Sequence, residues 1–203
     1  MIDFIAYVLT PQIIHGLVWG TIIAFVALGL TIIFGLMDIV NFAHGEFYMV
    51  GAYIGYSILL LIPNFWIALP VAVISVGLLG FVVEFFLLRK LYGRDPIFHL
   101  LLTFGLGMIL RETAKAIWGA DVRKVEAPIN VVINFLGTPY PVYRLFILII
   151  GIALFLLAWF ILYKTEIGAT IRAVAQDRIM AWALGIRVPF IYTAIFIIGA
   201  ALA

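Results

Sequence analysis

Long apolar runs interrupted by short polar intervals organise the chain, from Ile13 to Met37, from Phe47 to Ile62, and in comparable stretches to the end. Crossing a bilayer as a helix takes about 20 apolar residues at about 1.5 Å each, so the pattern predicts six spans. They fall near 13–37, 46–62, 66–88, 97–118, 143–163 and 190–203. The strict polar alternation of a transmembrane β-barrel is absent. The expected fold class is therefore all-α, a polytopic transmembrane helical bundle forming a single domain over residues 1–203.

Composition agrees with this reading. Hydrophobic residues make up 67% of the 203 and charged residues 11%, and the mean hydropathy is +1.27. A soluble domain carries roughly 45–50% apolar and about 25% charged residues. The net charge of +2 gives no reason to expect a nucleic-acid partner. The lack of cysteine rules out disulfides, thiolate catalysis and Cys-ligated metals.

The basic residues suggest an orientation. Seven of them lie in the connections 89–96 and 164–189 (Arg89, Lys90, Arg94, Lys164, Arg172, Arg178, Arg187), against two, Arg123 and Lys124, in the connection 119–142. The positive-inside rule then puts the first two connections in the cytoplasm and the N-terminus outside. Adding Arg111, Lys115 and Arg144 to the outer side narrows the margin to seven against five. The first twelve residues carry Asp3 and no basic residue, unlike a cleaved signal peptide, and predict a retained anchor. The connection 119–142, with Pro128, Gly137, Pro139 and Pro141, reads as an ordered external loop able to meet an extracytoplasmic partner.

Small residues at fourfold spacing, Gly16, Gly20 and Ala24 in the first run and Gly51 and Gly55 in the second, predict close helix packing. Glu84 lies near Arg89 and Lys90 and is expected to snorkel, while Glu112 and Lys115 form an i,i+3 pair. Histidines are scattered, and His44 with Glu46 makes too small a ligand set for a metal site.

Two stretches stand out chemically. Asp38, Asn41, His44 and Glu46 form a polar knot within nine residues, and such groups at membrane depth must face protein, water or substrate. A helix break there would present the N–H groups and partial positive charge of a helix N-terminus. Asn41 or Asp38 is expected to cap the following helix, and Gly45 to permit close backbone approach. The knot serves either to brace the break or to contact a zwitterionic substrate, with Glu46 or Asp38 taking the ammonium. The second stretch, 164–189, is too long for an ordinary bundle connection and carries Ile167, Ile171 and Val174 at helical spacing. It predicts a short amphipathic helix pair at the membrane surface, either lying on headgroups or docking into a cytoplasmic motor.

The blocks GLTIIFGLMDIVNFAHGEFYMVGAYIGY (29–56), LLTFGLGMILRE (101–112), EIGATIRAVAQDRIMAWALGI (166–186) and FIIGAALA (196–203) carry a specific resemblance. The chain is similar to the permease subunits of branched-chain amino acid ABC importers (LivH-like), with urea and short-chain amide permeases as near relatives. The resemblance runs over essentially the whole chain. It implies a second permease subunit, two cytoplasmic ATPase subunits and an extracytoplasmic substrate-binding protein, in the cell inner membrane. It also implies that Arg172, Ala173, Ala175, Asp177, Ala181, Gly185 and Ile186 belong to the ATPase-coupling region. Two features depart from the family: the EAA-x₃-G spacing is only loosely kept, and the chain stops at Ala203 inside an apolar run, which leads us to expect further helices.

The chain has no G-x-x-x-x-G-K-S/T loop, so ATP and Mg are expected on the partner subunits and no cofactor on this chain. A stand-alone channel or secondary transporter is the rival reading. A membrane enzyme would need a nucleophile and base or a metal cluster, which the sequence does not offer.

Overall fold

The computed structural model describes residues 9–135 and 138–203. The expected N-terminal anchor and Gly137 lie wholly or partly outside the described residues. Eight α-helices occur among the described residues: α1 Thr10–Met37, α2 His44–Leu61, α3 Phe65–Phe86, α4 Pro96–Trp118, α5 Val142–Lys164, α6 Glu166–Gln176, α7 Arg178–Ala183 and α8 Val188–Ala201. A 3₁₀ turn, Leu88–Leu91, follows α3. The fold is all-α and polytopic, as the apolar periodicity requires.

Local chemistry sets the helix boundaries. Asn64 accepts from Trp66 N at 3.0 Å and Asp95 from Ile97 N at 2.9 Å, so each side chain satisfies a first-turn donor. Pro96 occupies the first turn of α4, where a missing N–H costs nothing. Gly119 ends α4 at φ +82, a conformation that a residue with a Cβ adopts only under strain.

Of the six expected spans, α1, α4, α5 and α3 with its 3₁₀ turn are long and apolar enough to cross a membrane. The other two are shorter. α2 has 18 residues and spends its first turn on His44 and Glu46, and α8 has 14. The connection 119–142 also contains more than a loop. Val132–Phe135 (β1) and Thr138–Pro141 (β2) form an antiparallel hairpin, with Val132 opposite Pro141 and Phe135 opposite Thr138.

The helices α1, α2, α3 and α8 surround the core, where Phe47, Phe196 and Ile33 are fully buried. The Phe47 and Phe196 rings meet edge to face, with centroids 6.1 Å apart. Close approach depends on small residues, but not all of those expected. A Cβ on Gly51 would stand 3.1 Å from Val76, and one on Gly55 3.7 Å from Ala72, so this stripe seats α2 on α3. Among the described residues nothing stands within 4 Å of a Cβ at Gly16 or Gly20, so the close packing expected there is not made within the described bundle; Ala24 beside them is half-buried. The tight crossing of α1 lies farther along, where a Cβ on Gly29 would meet the Gly199 carbonyl at 2.5 Å. Gly80 faces Ala200 in the same manner at the α3/α8 crossing, at 2.8 Å.

Glu84 also differs from expectation. Instead of snorkelling it is completely buried, and it joins three elements. Tyr92 donates to its Oε1 at 2.7 Å, Arg89 donates to both oxygens at 3.3 and 3.2 Å, and the Thr193 hydroxyl of α8 lies 2.8 Å from Oε2. A buried carboxylate is tolerated only when its lone pairs are filled in this way. Burial, then the Glu84 hydrogen bond and charge, hold the Tyr92 phenol well above its usual range, so it remains a donor.

Candidate translocation site and coupling surface

The polar knot sits where the chain turns back into the bundle. After Met37 the chain reverses through 38–43, and α2 begins beside Val26, eleven residues before the end of α1. At about 1.5 Å per residue, the N-terminus of α2 thus lies about 16 Å deep along α1. His44 fixes that depth by hydrogen bonding through Nε2 to the Val26 carbonyl at 2.9 Å. Gly29 makes room for it, since a Cβ there would stand 3.0 Å from the imidazole.

Each member of the knot has its own place. Asn41 is buried, and its Oδ1 accepts from Ala43 N at 3.1 Å while its carbonyl accepts from His44 N at 3.1 Å. Its Nδ2 has no partner among the described residues. This is an Asx turn ahead of the helix, whereas the residue at the helix start is Ala43, which offers no side-chain cap. The capping role expected of Asn41 or Asp38 is therefore corrected. Asp38 instead ends α1 in the left-handed conformation, φ 57, with its N–H donating to the Phe34 carbonyl at 2.9 Å, and its exposed carboxylate lies apart from the knot. Gly45 has nothing within 4 Å of a Cβ position.

Helix α4 closes the site. The hydroxyl of Thr103, fully buried, accepts from Phe42 N at 3.2 Å and lies 3.3 Å from the Val40 carbonyl. At Gly107, α4 passes within 3.6 Å (from a Cβ position) of Ala43 and Glu46. Arg111 then donates through Nε, at 3.0 Å, and through Nη2 to Glu46 Oε1. Thus Asn41, His44 and Glu46 assemble with Gly29, Thr103, Gly107 and Arg111. The sequence places Arg111 only among the basic residues of the outer side and does not single out Gly29, Thr103 or Gly107. The apolar neighbours of Thr103 and the glycine pair at 105 and 107 were the available signal.

At the end of the bundle where α1, α3 and α5 finish, the stretch 164–189 forms α6 and α7. Thr165 caps α6 by accepting from Gly168 N at 3.1 Å, and Asp177 caps α7 by accepting from Ile179 N and Met180 N, both at 2.9 Å. The buried side of α6 carries Gly168, Ile171 and Val174, whereas Ile167 is exposed, which corrects the stripe expected from spacing. Arg172 turns back to donate to the Leu162 carbonyl at the end of α5. Ala173 and Ala175 are exposed.

Helix α7 ends in a Schellman motif: Ile186 N donates to Ala181 O at 3.1 Å and Gly185 N to Trp182 O at 2.9 Å, with Gly185 at φ +84. Three residues of the coupling pattern, Ala181, Gly185 and Ile186, therefore shape this turn. Around it Ile179, Met180, Trp182 and Leu184 expose apolar surface.

The sequence that folds into this arrangement has counterparts among known proteins. The family described as "Branched-chain amino acid transport system / permease component" matches residues 12–203. The chain belongs to this family. It is an ABC permease embedded in the membrane, and such systems include ATPase and binding-protein partners. Among similar proteins, the high-affinity branched-chain amino acid transport system permease protein BraD of Pseudomonas aeruginosa is 26% identical over 208 residues. LivH of Salmonella typhimurium is 27% identical over 209 residues, and LivH of Escherichia coli K12 26%. Each match covers 95% of this chain and 67% of the relative. No solved structure matches the permease.

Proposed function

We propose that the permease forms part of the translocation path of an ATP-driven importer that carries branched-chain amino acids into the cell. The start of α2 deep beside Val26 carries this reading, because a helix N-terminus inside a bundle places a partial positive charge where a carboxylate can pass, even though Asn41 already takes up the N–H groups of Ala43 and His44. The names of the similar permeases supply the substrate class. The chain pairs with a second permease subunit, its N-terminus faces outside, and an extracytoplasmic binding protein delivers substrate. Two cytoplasmic ATPase subunits hold ATP and Mg. The exposed apolar residues of α7, including Ile179, Met180 and Trp182, and the exposed Ala173 and Ala175 of α6, suit contact with those ATPases.

Coexpression with the ATPase tests this proposal. Cysteines at Gln176 and on the ATPase should crosslink in membranes, and leucine-loaded binding protein should accelerate ATP hydrolysis. A complex without any crosslink or stimulation would count against the assignment.

A further inference from the structure

The Glu46–Arg111 pair joins the first turn of α2 to the outer half of α4 across 65 residues of sequence. Its two members differ in environment: the Arg111 side chain is 57% exposed and that of Glu46 12%. A guanidinium on the outer surface of a spanning helix is costly against lipid, so in the assembled transporter this face meets protein or a water-filled path. Phe104 and Met108 precede Arg111 by seven and three residues, share its face of α4 and are likewise exposed. The face thus joins an apolar lane to a charge pair.

We propose that Glu46 and Arg111 read the two charges of the substrate: the pair opens, Arg111 takes the α-carboxylate, Glu46 takes the α-ammonium, and the aliphatic side chain lies along Phe104 and Met108. The inference rests on the importer reading and adds to it the residues that select a zwitterion. The exchange is balanced, since one ion pair gives way to two and no charge is left alone at depth. A neutral solute such as urea cannot make that exchange, because opening the pair would strand both charges. Arg111 suits the task because its planar fork can engage a carboxylate through two N–H groups. Glu46 lies in the helix's first turn, so its release leaves a carboxylate still favoured by the helix dipole.

The test uses the complete transporter in proteoliposomes, with leucine-loaded binding protein, comparing the wild type with E46Q/R111Q and with R111K. The double variant keeps a neutral hydrogen-bonding pair between α2 and α4. It should assemble at wild-type abundance, while leucine moved per ATP hydrolysed falls at least tenfold. R111K preserves the charge, and with it assembly, yet should lose at least threefold in leucine per ATP. Wild-type leucine per ATP in either variant would overturn the proposal, as would a loss that follows abundance alone, the mark of a brace. Absence of leucine uptake by the wild-type complex would instead refute the importer reading before any variant is compared.

Discussion

Replacing Gly29 by alanine places one methyl group at the narrowest crossing of the bundle. The new Cβ would stand 2.5 Å from the Gly199 carbonyl oxygen and 3.0 Å from the His44 ring. The first neighbour is backbone, which cannot rotate away, so α8 must retreat by at least about half an ångström for the contact to reach 3.0 Å. Overpacking of this kind costs about 1–3 kcal/mol, against a gain in helix propensity of up to about 1 kcal/mol for Gly→Ala. Gly20, nine residues earlier on the same helix, has nothing within 4 Å of its Cβ position, so Gly20→Ala collects the propensity gain without the clash. Thermal unfolding of the two variants in detergent separates the cases. Gly29→Ala should unfold about 2–12 °C below Gly20→Ala, the overpacking cost taken at about 2–4 °C per kcal/mol for a chain of this size, while Gly20→Ala leaves the wild-type midpoint level or raises it. Equal midpoints for the two would refute the assignment of the α1/α8 crossing to Gly29 and Gly199.

Tyr92→Phe removes a donor from the buried Glu84 carboxylate and should cost about 1.5–3 kcal/mol, read as a lowered unfolding midpoint. Because the Tyr92 phenol is raised in the fold, its contribution is fully present below the unfolded value of about 10 and is lost only as pH rises through the folded value. The Tyr92→Phe deficit should therefore be the same at pH 6 and pH 9. Gly185→Val forces a β-branched residue into φ +84, so the turn after α7 should distort. Membrane insertion is expected to survive and the ATP hydrolysed per solute moved to rise severalfold, as measured in proteoliposomes. Asn41→Ala strips the Asx turn ahead of α2 and should lower uptake per molecule more than it lowers membrane abundance, quantified by transport and immunoblot on the same vesicles.

The apolar runs located the helices well because span length and hydropathy are local properties. The predicted span 97–118 corresponds to Pro96–Trp118, and 143–163 to Val142–Lys164. The polar knot was also visible, since Asn41, His44 and Glu46 interrupt apolar sequence. Their partners were not, because Val26, Thr103 and Arg111 are chosen by how helices cross, and nothing near residue 46 in the sequence points to residue 111. Small residues posed the same difficulty. Gly20 and Gly29 look alike in an apolar helix, and only the position of α8 decides which one is crowded. Glu84 was misread because neighbouring Arg89 suggested a surface pair, while Thr193, 109 residues away, supplies the contact that draws it inside.

ATP-driven uptake of radiolabelled leucine by the reconstituted complex, with ATPase subunits inside the vesicle and binding protein outside, tests the central claim most directly. The account predicts accumulation against a gradient that requires ATP, binding protein and the paired permease, and that falls at least tenfold in E46Q/R111Q. Leucine equilibrating across the vesicle membrane through this chain alone, at the same rate with and without ATP, would contradict it.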